Sequence, residues 1–185
     1  MPIDPAQLTN RIQEEVGVSS QFMGAIYSKD DDWSMVIKLA ALLEATTSLA
    51  IQRELGRDGL SSFVDSLPMR GERGKLGLAK SLGLLDQRTH AYLDELFRMR
   101  NSFAHDPRNA GMSIAQYLSN LTSEQRINCE KRLYPIDTLE RPTEGRPGFP
   151  PELAPKMNVW VSSMLVLIQL GKKFSDPGDK HSPST

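Results

Sequence analysis

Three consecutive aspartates, Asp30 to Asp32, open a stretch free of proline and glycine that runs to Gly56, and this constrains the chain more than any other feature. Acids suit the positive N-terminal end of a helix, and glycine is the usual residue just past its C-terminal end. Between these limits Trp33, Val36, Leu39, Ala40, Leu43, Thr47 and Ala50 share one face at helical spacing, widened by Ile37, Leu42 and Leu49. A helix this long with an apolar face this wide has to be covered by other helices, so it is expected at the centre of a bundle.

The flanking segments are punctuated in the same way. Asp4 and Pro5 form an N-cap and first-turn pair ahead of Leu8, Ile12 and Val16, and Ser19 or Ser20 is placed to cap a short helix through Met23 and Ile26. Leu60 to Leu67, ended by Pro68, and Leu76 to Leu82, ended by Gly83, predict two more short helices. Asp86 is the expected cap of a helix over residues 87 to 105, and Ser113 and Ser123 are expected caps of two others. Residues 134 to 155 hold six prolines and two glycines and predict an extended loop. A closing apolar helix is expected over 156 to 172, followed by a disordered tail. No alternating run long enough for a strand appears, so the expected class is all-α, as one helical domain over residues 1 to 174 with a tail at 175 to 185.

Charge and cysteine content narrow the function classes. With 22 basic and 23 acidic residues the net charge is −1, so any polyanion site has to be local. Residues 70 to 108 are the mildly basic part of the chain. A single cysteine, Cys129, excludes an internal disulfide and a Cys-rich zinc site and fits a reducing compartment. The N-terminus lacks the charged and apolar regions of a signal peptide, and the most apolar stretch, Met157 to Leu170, is short for a membrane span. A cytoplasmic protein with no membrane partner is expected, and no metal or cofactor is predicted.

One run carries pointed chemistry: RNSFAH, Arg100 to His105. Arg100 falls at a gap in the apolar stripe of Tyr92, Leu93, Leu96, Phe97, Phe103 and Ala104, so its guanidinium is expected to face a core or an interface. Asn101 and His105 are four residues apart, which places the amide to orient the imidazole. Histidine moves protons near neutral pH, arginine clamps phosphate, and RNA supplies its own nucleophile in the 2′-hydroxyl. A metal-independent RNA-cleaving site therefore fits Arg100, Asn101 and His105. An arginine and a histidine at a surface helix end, without chemistry, fit the same residues.

The stretch from Leu39 to Leu118 resembles the HEPN superfamily, and within it the mannitol operon repressor-like (MtlR-like) branch. The resemblance rests on LAALLE (39 to 44), GKLGLAKSLGLL (74 to 85), Leu93 to Leu96 and RNSFAH itself, and spans a region of about 33 to 120. It implies an antiparallel helical bundle, here with an additional C-terminal helix, that acts as a homodimer. It further implies an Arg-x4-His endoribonuclease site on Arg100, Asn101 and His105, of a toxin or defence kind. Glu44, a lone carboxylate inside the apolar run LAALLEA, is the expected support for Arg100; an exposed charge beside Ser48 fits it equally. The same branch implies an alternative, a non-enzymatic transcriptional or metabolic regulator that works through a protein partner.

Other signals weigh less. Gly71 to Lys75 has the wrong spacing for a phosphate loop, though Arg70, Arg73 and Lys75 are candidate contacts to an RNA backbone. His90 is expected in a surface ion pair with Asp94, and Cys129 as a plain core or surface thiol.

Overall fold

The computed structural model describes residues 5–56, 58–133 and 154–175, and every regular element among them is helical. In chain order these are α1 (Pro5–Val16), α2 (Ser20–Ser28), α3 (Asp32–Leu55), α4 (Ser61–Ser66), α5 (Lys75–Ser81), α6 (Gln87–His105), α7 (Ile114–Ser119), α8 (Ser123–Leu133) and α9 (Ala154–Ser175). Short 3₁₀ turns at Asp58–Leu60 and Pro107–Asn109 lead into α4 and out of α6. The all-α class stands. Asp4, most of the proline-rich 134 to 155 segment and residues 176 to 185 lie outside the described residues.

Local chemistry explains the boundaries. Asp31 accepts from the Ser34 amide at 2.7 Å to cap α3, and Gly56 closes it with φ 61°, a left-handed value that glycine adopts without penalty. Ser19 caps α2, Asp86 caps α6 through the Thr89 amide, and Ser113 with Gln116 forms a reciprocal capping box on α7. One expected cap moves by a residue: Thr122, not Ser123, bonds the Gln125 amide, while Gln125 Oε1 accepts from the Thr122 amide. Glutamine three residues after threonine completes the box, a pattern that Ser123 with Arg126 lacks.

The long helix is central, as its pattern demands. α3 packs against α9, α6 and α5, and buries Met35, Val36, Leu39, Ala40, Leu43, Thr47, Ala50 and Ile51. It, rather than the closing helix, is the described helix long and apolar enough to cross a membrane, yet more than half of its apolar window is buried in the bundle. α9 lies antiparallel to α6: Thr89 reaches Gln169, while Tyr92 donates to or accepts from Ser163 at 2.6 Å and donates to the Val159 carbonyl at 3.0 Å. Trp160 then ties α9 to α2 through the Met23 carbonyl.

The turn from Pro68 to Gly74 is tightly wound. The amides of Lys75 and Leu76 return to the carbonyls of Pro68 and Met69, folding the turn back on the start of α5. A Cβ on Gly74 would sit 2.5 Å from the Arg70 carbonyl oxygen, and one on Gly77 only 2.2 Å from that of Glu72. Both glycines are there for close backbone approach, because no other side chain fits.

A mid-helix glycine replaced by alanine ordinarily stabilises a helix by about 1 kcal/mol. At Gly77 the sign should reverse: Gly77→Ala is expected to destabilise the protein by about 1–3 kcal/mol through overpacking, read as a lower midpoint in urea denaturation. A Gly77→Ala protein as stable as wild type would show that the turn does not lie against α5.

Candidate functional site

The site is built on the second half of α6, which enters the core through Tyr92, Leu93, Leu96, Met99 and Phe103. Met99, fully buried, takes the core place on the turn where the sequence pattern suggested Arg100. Arg100 sits at the border of that stripe, half-buried, and Ala104 is exposed. The helix end is fixed from two sides. Trp33 Nε1 donates to the Phe103 carbonyl at 3.0 Å, and Asn109 Nδ2 donates to the Ser102 carbonyl and hydroxyl, each at 3.0 Å. These bonds satisfy carbonyls that a helix end otherwise leaves open.

Arg100 Nη1 donates to Asn101 Oδ1 at 3.0 Å, and among the described residues the guanidinium has no carboxylate within ion-pair distance. Asn101 therefore holds Arg100, where the sequence spacing suggested that it orients His105. The cation is the stronger donor for an amide oxygen, since charge-assisted bonds are about twice as strong as neutral ones. His105 closes the helix with an exposed imidazole that makes no side-chain hydrogen bond among the described residues. Beyond it Asp106 caps the 3₁₀ turn and pairs with Arg108 at 2.8 Å.

Glu44 meets a different partner from the one expected. Its Oε1 accepts from Lys75 Nζ at 2.9 Å, and it makes no bond to Arg100. The reason is the wound turn, which lays the first residue of α5 against α3 with Lys75 only 4% exposed. A buried ammonium needs a counter-charge, and Glu44, with one side open to water, provides it. Lys75 is thereby removed from the candidate RNA-backbone contacts. Arg70 also has a partner, Asp94, with its Nε 2.7 Å from Oδ1, while Arg73 is exposed.

One further expectation changes, for His90, and Cys129 falls on the core side of its two readings. His90 makes no ion pair with Asp94 among the described residues; burial first, then the Lys80 charge, lowers its pKa against a smaller opposing effect of Asp94. Cys129 is buried, and burial, then the Glu95 carboxylate, pushes its thiol up to about 12.

Sequence reasoning missed Glu95. It is 2% exposed on the core side of α6, with Arg132 Nη1 3.3 Å and Arg98 Nη1 3.8 Å from its carboxylate. Arg98 and Arg132 also approach Asp94, at 3.7 and 3.9 Å. The i,i+3 and i,i+4 spacings of Arg98 were visible in the sequence; the arrival of Arg132 from α8 was not. No group of three His, Cys, Asp or Glu side chains suited to a metal occurs among the described residues. No family model, curated protein or solved structure matches this chain.

Two outcomes check these assignments. Glu44→Ala is expected to destabilise the fold by about 1–3 kcal/mol in urea denaturation, at the low end because water reaches Glu44, since it strands the buried Lys75 ammonium. Lys75→Met in the same background should recover most of the loss; no recovery would mean that Glu44 stabilises by another route. Cys129 in the native protein should resist a thiol reagent at pH 8 and react only on denaturation, and rapid native labelling would contradict its burial.

Proposed function

We propose that the chain is a metal-independent endoribonuclease of HEPN-like type that works as a cytoplasmic dimer, with the RNSFAH run as its site. The observation that carries this reading is the half-buried guanidinium of Arg100 without a carboxylate partner among the described residues. A partly desolvated cation whose remaining N–H donors are unfilled is suited to an oxyanion, and its planar fork matches a phosphate. The exposed imidazole of His105 lies one helical turn and a fraction further on.

In this reading an imidazole takes the proton from the 2′-hydroxyl, whose oxygen attacks the adjacent phosphorus. The P–O5′ bond breaks, the 5′-oxygen leaves with a proton, and the products are a 2′,3′-cyclic phosphate and a 5′-hydroxyl. Arg100 stabilises the charge that builds on the non-bridging oxygens, and Asn101 holds Arg100 in place. Each chain brings one such histidine, so two chains supply a base and an acid. The competing reading, a regulator acting through protein contacts, draws on Leu49 and Phe63, each 54% exposed.

Cleavage of single-stranded RNA in EDTA tests the proposal. His105→Ala is expected to lose roughly 10²–10⁴-fold in rate, the ordinary contribution of a general acid–base group, with Arg100→Lys between wild type and Arg100→Ala. Equal rates in wild type and His105→Ala, or no cleavage by either, would remove the nuclease reading in favour of the regulator.

A further inference from the structure

The polar face of α6 carries more than the RNSFAH run. Asp94, Arg98, Asn101 and His105 follow one another at intervals of four, three and four residues, which keeps them on one side of the helix. At the far end of that line three guanidiniums from three elements converge on two adjacent carboxylates. Arg70 comes from the wound turn before α5, Arg98 from α6 itself and Arg132 from α8.

The bonding there is incomplete in a particular way. An arginine carries five N–H donors, yet only two hydrogen bonds join the three guanidiniums to the carboxylates: Arg70 Nε to Asp94 and Arg132 Nη1 to Glu95. Arg98 stands 3.7 and 3.8 Å from the two acids, beyond hydrogen-bond reach, and its side chain is 51% exposed. The Tyr117 hydroxyl makes no hydrogen bond among the described residues and lies within the electrostatic reach of Arg70 and Arg98. Three cations face two anions, so the cluster keeps a surplus positive charge in a chain whose net charge is −1.

The carboxylates anchor the cations. Partial burial works to raise the Asp94 pKa, but the Arg70 bond and the charges of Arg70, Arg98 and Arg132 outweigh it and hold the carboxyl below its usual range. Glu95 is buried beneath them. Arg70 and Arg132 are thus each held by one hydrogen bond, while Arg98 makes only longer ionic contacts and is open to water.

We infer that Arg98, with Arg70 and Arg132, forms a second phosphate-binding position, which holds the backbone of a single-stranded RNA running along the polar face of α6 toward His105. Arg98 and His105 are seven residues apart, about 10 Å along the helix axis, so one strand a few nucleotides long spans both. The inference takes the identity of the polymer from the nuclease reading but does not depend on cleavage. It replaces Lys75, which is buried on Glu44, with Arg98 and Arg132 as the backbone contacts.

The test uses the full chain carrying His105→Ala, titrated with a fluorescent single-stranded RNA of about twelve nucleotides over a range of salt. Adding Arg98→Ala is expected to weaken binding about tenfold and to reduce the slope of log affinity against log salt by about one. Arg98→Lys should restore the slope and only part of the affinity. Arg53→Ala, at an exposed arginine near the end of α3, should change neither. Unchanged melting of Arg98→Ala keeps the comparison on binding. Arg98→Ala that binds as tightly as its parent, or a parent that does not bind RNA, overturns the inference. A wild-type protein that fails to cleave, while Arg98→Ala still costs tenfold in binding, sinks the nuclease reading and leaves this one standing.

Discussion

The hydrogen bond from the Trp33 indole to the Phe103 carbonyl is the contact on which the site's geometry depends. It joins the first turn of α3 to the last turn of α6, 70 residues apart in sequence, at a place where the α6 carbonyls have no partner within the helix. Asn109 closes a second of these carbonyls, and Asp32, next to Trp33, accepts from the Ile114 amide at the start of α7. The end of α6 is therefore held by bonds from two elements, α3 and the 3₁₀ turn that follows α6, while Asp32 ties α7 to the same end of α3. Its side chains at Arg100, Asn101 and His105 are released from structural duty, which is the condition for a site on a rigid support.

Burial on the opposite side of α6 sets which side chains are left over. Tyr92 places a phenol fully inside the bundle, which stays protonated because burial disfavours the phenolate, and spends it on Val159 and Ser163 of α9. Thr89 does the same with Gln169. Both bonds fix the rotation of α6 about its own axis. With that rotation fixed, Met99 points inward, Arg100 lies at the boundary, and the line from Asp94 to His105 faces out. A rotation of one residue, about 100°, would bury Arg100 and expose Met99.

The helix ends and the central helix were legible in the sequence because they depend on neighbours. Asp31, Asp86, Gly56 and the Ser113 box act within three or four residues, and periodicity alone placed α3 in the core. What could not be read is what depends on tertiary approach. Glu44, a lone carboxylate in an apolar run, suggests a support for Arg100. Its actual partner is Lys75, brought close by a turn whose winding rests on two glycines with no room for a Cβ. Nothing in the sequence sets Glu95 apart from a surface acid, and only the arrival of α8 with Arg132 shows it as a buried anchor. The Asn101 amide was given to His105 by the four-residue rule, which takes no account of a stronger donor one residue away.

A chain with nearly balanced charge can still offer a polyanion site if its acids are used up locally. The three consecutive aspartates Asp30 to Asp32 are all engaged: Asp30 pairs with Lys38 at 2.8 Å, Asp31 caps α3, and Asp32 holds α7 with Lys156 3.7 Å away. Asp106 is taken by Arg108, and Glu44 by Lys75. A carboxylate so paired contributes little field beyond its partner, because opposite charges at contact distance screen each other before solvent and salt do. Net charge is therefore the wrong quantity for judging this molecule. The relevant quantity is where guanidinium donors remain unfilled, and among the described residues α6 carries two such places, Arg100 at the border of the core and Arg98 above Glu95.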